Sequence, residues 1–372
     1  MKRTVTVLAM AAALACCFSC SAPKEKAEPG LKDATKGYFY MGTALNGNHV
    51  IQSNPEATKA ILQHFNAISP ENCMKCIEIH PYKDVYEFTL PDAYVEFGLE
   101  HNMFIHGHTL IWHSQLAPWF CSNEDGSDVS PEELERRIVD HVTTIVSRYK
   151  GKIDSWDVVN ECVLDNGEMR PTKFYQILGD RFIEIAFKAA AAADPDCELY
   201  LNDYNMTSHP KREKYVEIIK RLQAEGIKID GMGLQGHWGL TSPSLDEIQK
   251  SIDMFADLGL KVSITELDMS ILPGRMATAA VEQNWGSSNR SVDPYDGNFP
   301  QENVHDWNYR MQQFFQLFKD NAEKLERVTV WGVSDNDTWR NYIPITGRKD
   351  YATLLDRNYQ IKPVDFWIMK NY

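Results

Sequence analysis

The sequence predicts an α/β fold closed into one barrel of eight strand–helix units, on three observations. Short apolar runs alternate with amphipathic stretches from residue 38 onward, and there are eight such runs. The 372-residue chain exceeds the roughly 250 residues that such a barrel needs, which leaves room for loop insertions. No G-x-G-x-x-G segment follows an early run, which weighs against the open doubly wound sheet that the same alternation would otherwise allow. A single TIM (β/α)8 barrel is therefore the expected architecture.

In chain order the runs are YFYMGTA (38–44), FNAIS (65–69), MFIHGHTLIW (103–112), IDSWDVV (153–159), ELYLND (198–203), GMGLQGH (231–237), KVSITEL (261–267) and RVTVWGVS (327–334). Between them, residues 131–149, 173–193, 211–225, 244–258 and 307–321 carry apolar side chains near helical spacing. Residues 271–305 break the rhythm with Pro273, Gly274, Gly286, Pro294, Gly297 and Pro300. They read as a long loop after the seventh strand, on the face where barrels build their active sites.

With 43% hydrophobic and 24% charged residues, the chain can bury a large core. Its formal charge of −14 disfavours nucleic acid or an anionic membrane surface as the main partner. At the N-terminus, basic Met1–Arg3, the apolar stretch 5–18 and Ser19-Cys20 form a secretory leader, too short and wrongly flanked to span a membrane. The expected layout is a signal peptide over 1–19, an acylated Cys20, an Ala-, Pro-, Lys- and Glu-rich tether over 20–34, and the barrel domain over 35–372. Contact with a membrane is then only through the lipid, at the outer membrane after secretion across the inner one. A monomer is expected.

Past Cys16, Cys17 and Cys20 there remain Cys73, Cys76, Cys121, Cys162 and Cys197, an odd number that gives no disulfide framework. Cys73 and Cys76 form a lone CxxC without a second pair at zinc-site spacing. They read as buried thiols.

In a barrel the chemistry lies where strands end. The fourth run ends in WDVVNE, placing Asn160 and Glu161 there, and the seventh in ITELD, placing Glu266 there with Asp268 two residues on. Each carboxylate alone could cap a helix or answer an arginine. Facing each other across a barrel mouth they suit glycoside hydrolysis: a separation of about 5–5.5 Å suits a retaining enzyme and about 6.5–9.5 Å an inverting one. The other strand ends contribute Glu71, Asn72 and Lys75; His106, His108, Trp112 and His113; Asn202, Tyr204 and Asn205; Gln235, His237 and Trp238; and Trp331, Asp335 and Trp339. Fixed donors and acceptors interleaved with flat indoles match a ring of hydroxyls with apolar C–H faces. Two competing readings stand beside this one: a metal-dependent hydrolase built on the His106/His108 pair, and a non-catalytic glycan-binding barrel.

The blocks SPENCMK, GHTLIWHSQLAPWF, WDVVNE, LNDYN, LQGHWG, ITELDM, WGVSDNDTWRN and LLDRNYQIKP, in this order, resemble glycoside hydrolase family 10, the endo-β-1,4-xylanases, over about Tyr38 to Tyr372. The resemblance implies a retaining endo-β-1,4-xylanase that cleaves internal xylan bonds without a metal or other cofactor. It makes Glu161 the acid/base and Glu266 the nucleophile. It implies that Glu71, Asn72, Lys75, His108, Trp112, Gln235, Trp331 and Trp339 hold sugar on the non-reducing side. It also has Asn160 touching the 2-hydroxyl, His237 orienting Glu266, and Tyr204 and Asn205 facing the leaving group. His106 stands where the family commonly has Arg, and Cys73 where it often has Glu.

Overall fold

The computed structural model describes residues 28–272, 293–343 and 346–372. The leader, Cys20 and the middle of the loop after the seventh strand lie outside the described residues. Eight strands form the barrel: β1 (Tyr40–Leu45), β2 (Ala67–Pro70), β3 (Phe104–Gly107), β4 (Ser155–Asn160), β5 (Glu198–Asp203), β6 (Gly231–Leu234), β7 (Lys261–Met269) and β8 (Leu325–Val330). Each pairs in parallel with the next, and β8 returns to β1 through the register Tyr40 to Arg327, so the sheet closes. A two-residue strand, His237–Trp238, adds to the end of β7 opposite Asp268 and Met269.

The strands read as apolar runs because helices cover their outer faces and side chains fill the interior. Val158, Leu201, Met232, Val262 and Val328 have no exposed surface. Interior space is shared between neighbours: a Cβ on Gly107 would lie 2.1 Å from the Trp156 ring and one on Gly231 2.1 Å from Tyr200, so glycine on one strand makes room for an aromatic on the next.

Several boundaries differ from those expected. The tether does not extend to residue 34, because Leu31–Ala34 is a short helix whose Leu31 is fully buried and whose Lys32 Nζ donates to the carbonyl of Leu62 at 2.5 Å. One apolar side chain in a charged stretch is enough to dock it on the helix Pro55–His64. The stretch 173–193 is two helices, Lys173–Leu178 and Arg181–Ala193, broken at Gly179 with φ 59°. The helix expected from Trp307 starts at Gln301, directly after Pro300, because its polar first turn carries no apolar period. All five cysteines of the domain are free and buried.

Candidate active site

Irregular pairing lies just ahead of Glu161 and spans Glu266. The β4–β5 register shifts between Asp157 and Val159, and the β7–β8 register between Ile264 and Leu267. Such bulges turn side chains that a regular strand would place elsewhere. Glu161 itself has φ 57°, a left-handed conformation rare for a non-glycine residue. It is held there by its N–H donating to the Asn202 carbonyl at 2.9 Å and its carbonyl accepting from Arg170 Nε at 2.8 Å.

Both carboxyl groups are almost entirely buried, and each has its own set of donors. Glu161 accepts from the Trp112 indole N–H at 3.0 Å and from Gln235 Nε2 at 2.9 Å. Glu266 accepts from Asn202 Nδ2 at 2.8 Å and meets His237 Nε2 at 3.2 Å. Asn160 lies between the two sets, its Oδ1 accepting from Asn202 at 3.0 Å and Gln235 at 3.4 Å. Thr265 Oγ1 donates to Asn202 Oδ1 at 2.6 Å, which fixes the amide so that its N–H groups face Asn160 and Glu266.

The surroundings split the two acids. Burial pushes the Glu161 carboxyl up to about 6, with the charges of Asp203 and Glu266 adding to it against the hydrogen bonds from Gln235 and Trp112. Burial also works against ionising Glu266, but the His237 hydrogen bond, the nearby histidine charges and the Asn202 amide outweigh it and hold this carboxyl below its usual range. Burial alone would neutralise His237, yet Asp268 and Glu266 raise it to about 9. It is thus an imidazolium at neutral pH, donating through Nδ1 to Asp268 at 2.9 Å and through Nε2 to Glu266. Asp268 is a hub, since it also accepts from Trp339 Nε1 at 2.7 Å and Arg340 at 2.6 Å.

The predicted residues divide into three groups. Glu161, Glu266, Asn160, Asn202, Gln235, His237, His108, Trp112, Trp331 and Trp339 converge; apart from Asn202, which lies beneath, they line one cavity of about 1140 Å³. Tyr204 and Asn205 line its far end, where Tyr204 accepts from Arg170 at 2.7 Å and Asn205 donates to Asp165 at 3.0 Å. Glu71, Asn72 and Lys75 line a second cavity of about 580 Å³, which shares Lys75, Trp331 and Trp339 with the first. Lys75 Nζ donates to Asn72 at 3.0 Å and to Gln115 at 2.8 Å.

The His106/His108 pair meets one carboxylate: His106 Nε2 lies 3.0 Å and His108 Nδ1 2.8 Å from Asp157 Oδ2, and His106 Nδ1 bonds Ser155 at 2.7 Å. Among the described residues no cluster of three or more His, Cys, Asp or Glu could hold a metal ion. Sequence reasoning missed Asp157, Asp203, Arg170 and Arg340, and it named Asp268 without assigning it a role. The signal for Asp157 and Asp203 was an acid inside an otherwise apolar strand, and Asp268 was visible as the second acid of ITELD.

A closed parallel barrel whose C-terminal rim carries two unequal, separately caged carboxylates is the framework of a glycoside hydrolase. The chain belongs to glycosyl hydrolase family 10, whose model matches residues 30–371. It is 41% identical over 347 residues to endo-1,4-beta-xylanase A of Xylanibacter ruminicola, covering 93% of this chain and 94% of that protein. It is 36% identical to the beta-1,4-xylanase of Dictyoglomus thermophilum, with 94% of each chain covered. A solved GH10 endoxylanase from a sugarcane soil metagenome superposes with a TM-score of 0.88 at 39% identity, covering 92% of this chain and 100% of that one.

Proposed function

We infer that this chain is a retaining endo-1,4-β-xylanase that cleaves internal β-1,4-xylosidic bonds by double displacement. The observation that carries the reading is a pair of buried carboxyls on one shared cavity, the first raised to about 6 by burial and the second held low by its own donors. Glu161 donates its proton to the glycosidic oxygen as the bond breaks. Glu266, held anionic by the His237 imidazolium, attacks the anomeric carbon and forms a glycosyl-enzyme. The ionised Glu161 then takes a proton from water, which releases the sugar with its configuration retained. Asn160 lies beside the nucleophile, where a 2-hydroxyl would stand, and Asn202 holds both from beneath. Glu71, Asn72, Lys75, His108, Trp112, Trp331 and Trp339 hold the glycone, and Tyr204 and Asn205 the leaving-group side.

Digestion of arabinoxylan by the full chain, followed by NMR of the anomeric protons, tests this. The first reducing ends should appear as the β anomer before mutarotation; α ends would overturn double displacement, and no new ends would overturn the activity.

We also propose that Cys20 carries the lipid and anchors a monomeric enzyme at the outer membrane. Radiolabelled palmitate should enter the wild-type chain and not the Cys20→Ser variant.

A further inference from the structure

We propose that Asp203 is a positioning residue of the reaction: a buried anion, held behind Glu161, that keeps the acid/base carrying its proton while xylan is cut. The proposal rests on the xylanase reading above and deepens it on the acid/base side.

Asp203 ends β5, has no exposed surface and lines neither cavity, so a sugar bound in either does not reach it. It is nonetheless joined to Glu161 by three routes. Its carbonyl accepts from the Gln235 N–H at 3.0 Å, and the Gln235 side chain donates to the Glu161 carboxyl. Its Oδ2 accepts from the Tyr215 hydroxyl at 2.5 Å, and that hydroxyl lies 3.5 Å from the thiol of Cys162, the residue after Glu161. Its Oδ1 accepts from the Tyr204 N–H at 2.8 Å; the Tyr204 hydroxyl accepts from Arg170, which in turn donates to the Glu161 carbonyl.

A carboxylate in this place must be kept ionised by the protein. Lys211, also without exposed surface, sets its ammonium 2.9 Å from Asp203 Oδ1 and 3.7 Å from the centre of the Tyr204 ring, and it meets Asp165 at 3.2 Å. Burial alone would discharge Lys211, but Asp203, Tyr204 and Asp165 hold it above its usual range. Burial pushes Asp203 up as well, against Lys211, Tyr215 and Arg170, and with a charged Lys211 upon it the carboxyl stays ionised at neutral pH. Two other groups facing it stay neutral, since burial raises the Cys162 thiol to about 12 and puts the Tyr215 hydroxyl far above its usual range. Two anions therefore act on Glu161, and the charge of Asp203 counts for more than that of Glu266. They also differ in time. The Glu266 charge disappears when it bonds the sugar, whereas Asp203 stays charged through both steps, so Glu161 remains a base strong enough to take a proton from water in the second.

The alkaline limb of the kcat/KM profile reads the Glu161 proton. In Asp203→Asn this limb should fall by about one pH unit from its wild-type position at about 6. Two substrates separate charge from packing: xylotetraose, whose leaving group needs a proton, and dinitrophenyl β-xylobioside, whose leaving group does not. The ratio of their kcat/KM values, xylotetraose over aryl xylobioside, should drop about ten-fold in Asp203→Asn at about pH 8, and a ratio taken within one preparation cancels any loss of folded enzyme. Asp203→Asn/Lys211→Met, which removes both charges and leaves no unpaired ammonium, should lower the ratio in the same direction by about three-fold. An unmoved limb, or equal losses on the two substrates, overturns the role of Asp203 alone. If the wild type cleaves neither substrate, the xylanase reading itself fails.

Discussion

At the lower end of the barrel Glu198 and Glu326 flank Lys261, and at the upper end Glu161 and Glu266 flank Asn160 and Asn202. The two pairs titrate in a similar way. Burial pushes Glu198 up to about 6, as it does Glu161, while Glu326, like Glu266, is held low. Their partners differ. The lower pair meets a lysine that is 48% exposed, and Glu326 also accepts from Tyr200 at 2.5 Å. The upper pair meets amides, an indole and an imidazolium, and opens on a cavity of about 1140 Å³. A split between two carboxyls therefore does not by itself mark a reaction site. What separates them is that the upper carboxyls line a cavity a substrate can enter, whereas the lower ones close on a lysine and line neither cavity. This agrees with the general division of barrels into a reactive C-terminal face and a stabilising N-terminal one.

The sharpest way to break this contrast is to remove one acid from each end. Glu266→Ala should lower kcat on xylan by about 10⁴-fold or more, because a double displacement has no substitute for its nucleophile. Glu326→Gln should leave kcat within about two-fold, since this carboxyl lies at the end of the barrel away from the reacting atoms. Comparable losses in the two variants would remove the distinction between the ends.

Asp268→Asn probes how the nucleophile is kept ionised. The imidazolium of His237 lies between Asp268 and Glu266, so loss of the Asp268 charge lets His237 fall from about 9 and withdraws the positive charge that holds the Glu266 carboxyl low. Glu266 must be ionised to react, so the acid limb of the kcat/KM profile should move to higher pH, with kcat at the optimum reduced by about 10²-fold. A loss of rate with an unmoved acid limb would reduce Asp268 to a packing role.

Much of this arrangement is legible in the sequence, for a physical reason. An acid ending an apolar strand is costly unless it is paired or used, so Glu161 and Glu266 stand out where they occur. The eight strand runs are equally plain, because a strand covered on both sides must be apolar nearly throughout. What the sequence hides is pairing across strands. Trp112 and Gln235 read as sugar contacts, yet their N–H groups go to Glu161. The roles of Asp157 and Asp268 depend on strand register and on a two-residue strand that no period reveals. The start of the domain was misplaced because its docking rests on a single leucine, Leu31.

Stability gives a smaller measure of the same contrast. The Glu161 carboxyl titrates near 6 in the fold against 4.5 when free, so its contribution to stability is fully present below about pH 4.5 and is lost as pH rises through 6. Glu161→Gln mimics the protonated acid and should remove that dependence. Relative to wild type, the variant should be about 2 kcal/mol more stable near pH 8 than the same comparison gives near pH 4, as read from urea midpoints. A pH-independent difference would mean that the site does not charge against its burial.

The smallest effect is expected from the lower end. Lys261→Met leaves Glu198 and Glu326 without their shared cation, but this group is half exposed and water can take over part of its work. The loss should be about 1 kcal/mol or less near pH 8 and should shrink as pH falls through 6, where Glu198 can take up a proton instead. Activity on xylan should change by less than about two-fold, because the pair lies at the opposite end of the barrel from the reacting atoms. A large loss of rate with intact folding would show that the two ends are coupled through β5 and β7, the strands that carry a member of each cluster. In that case the lower pair would have to be counted as part of the machinery and not as a clasp.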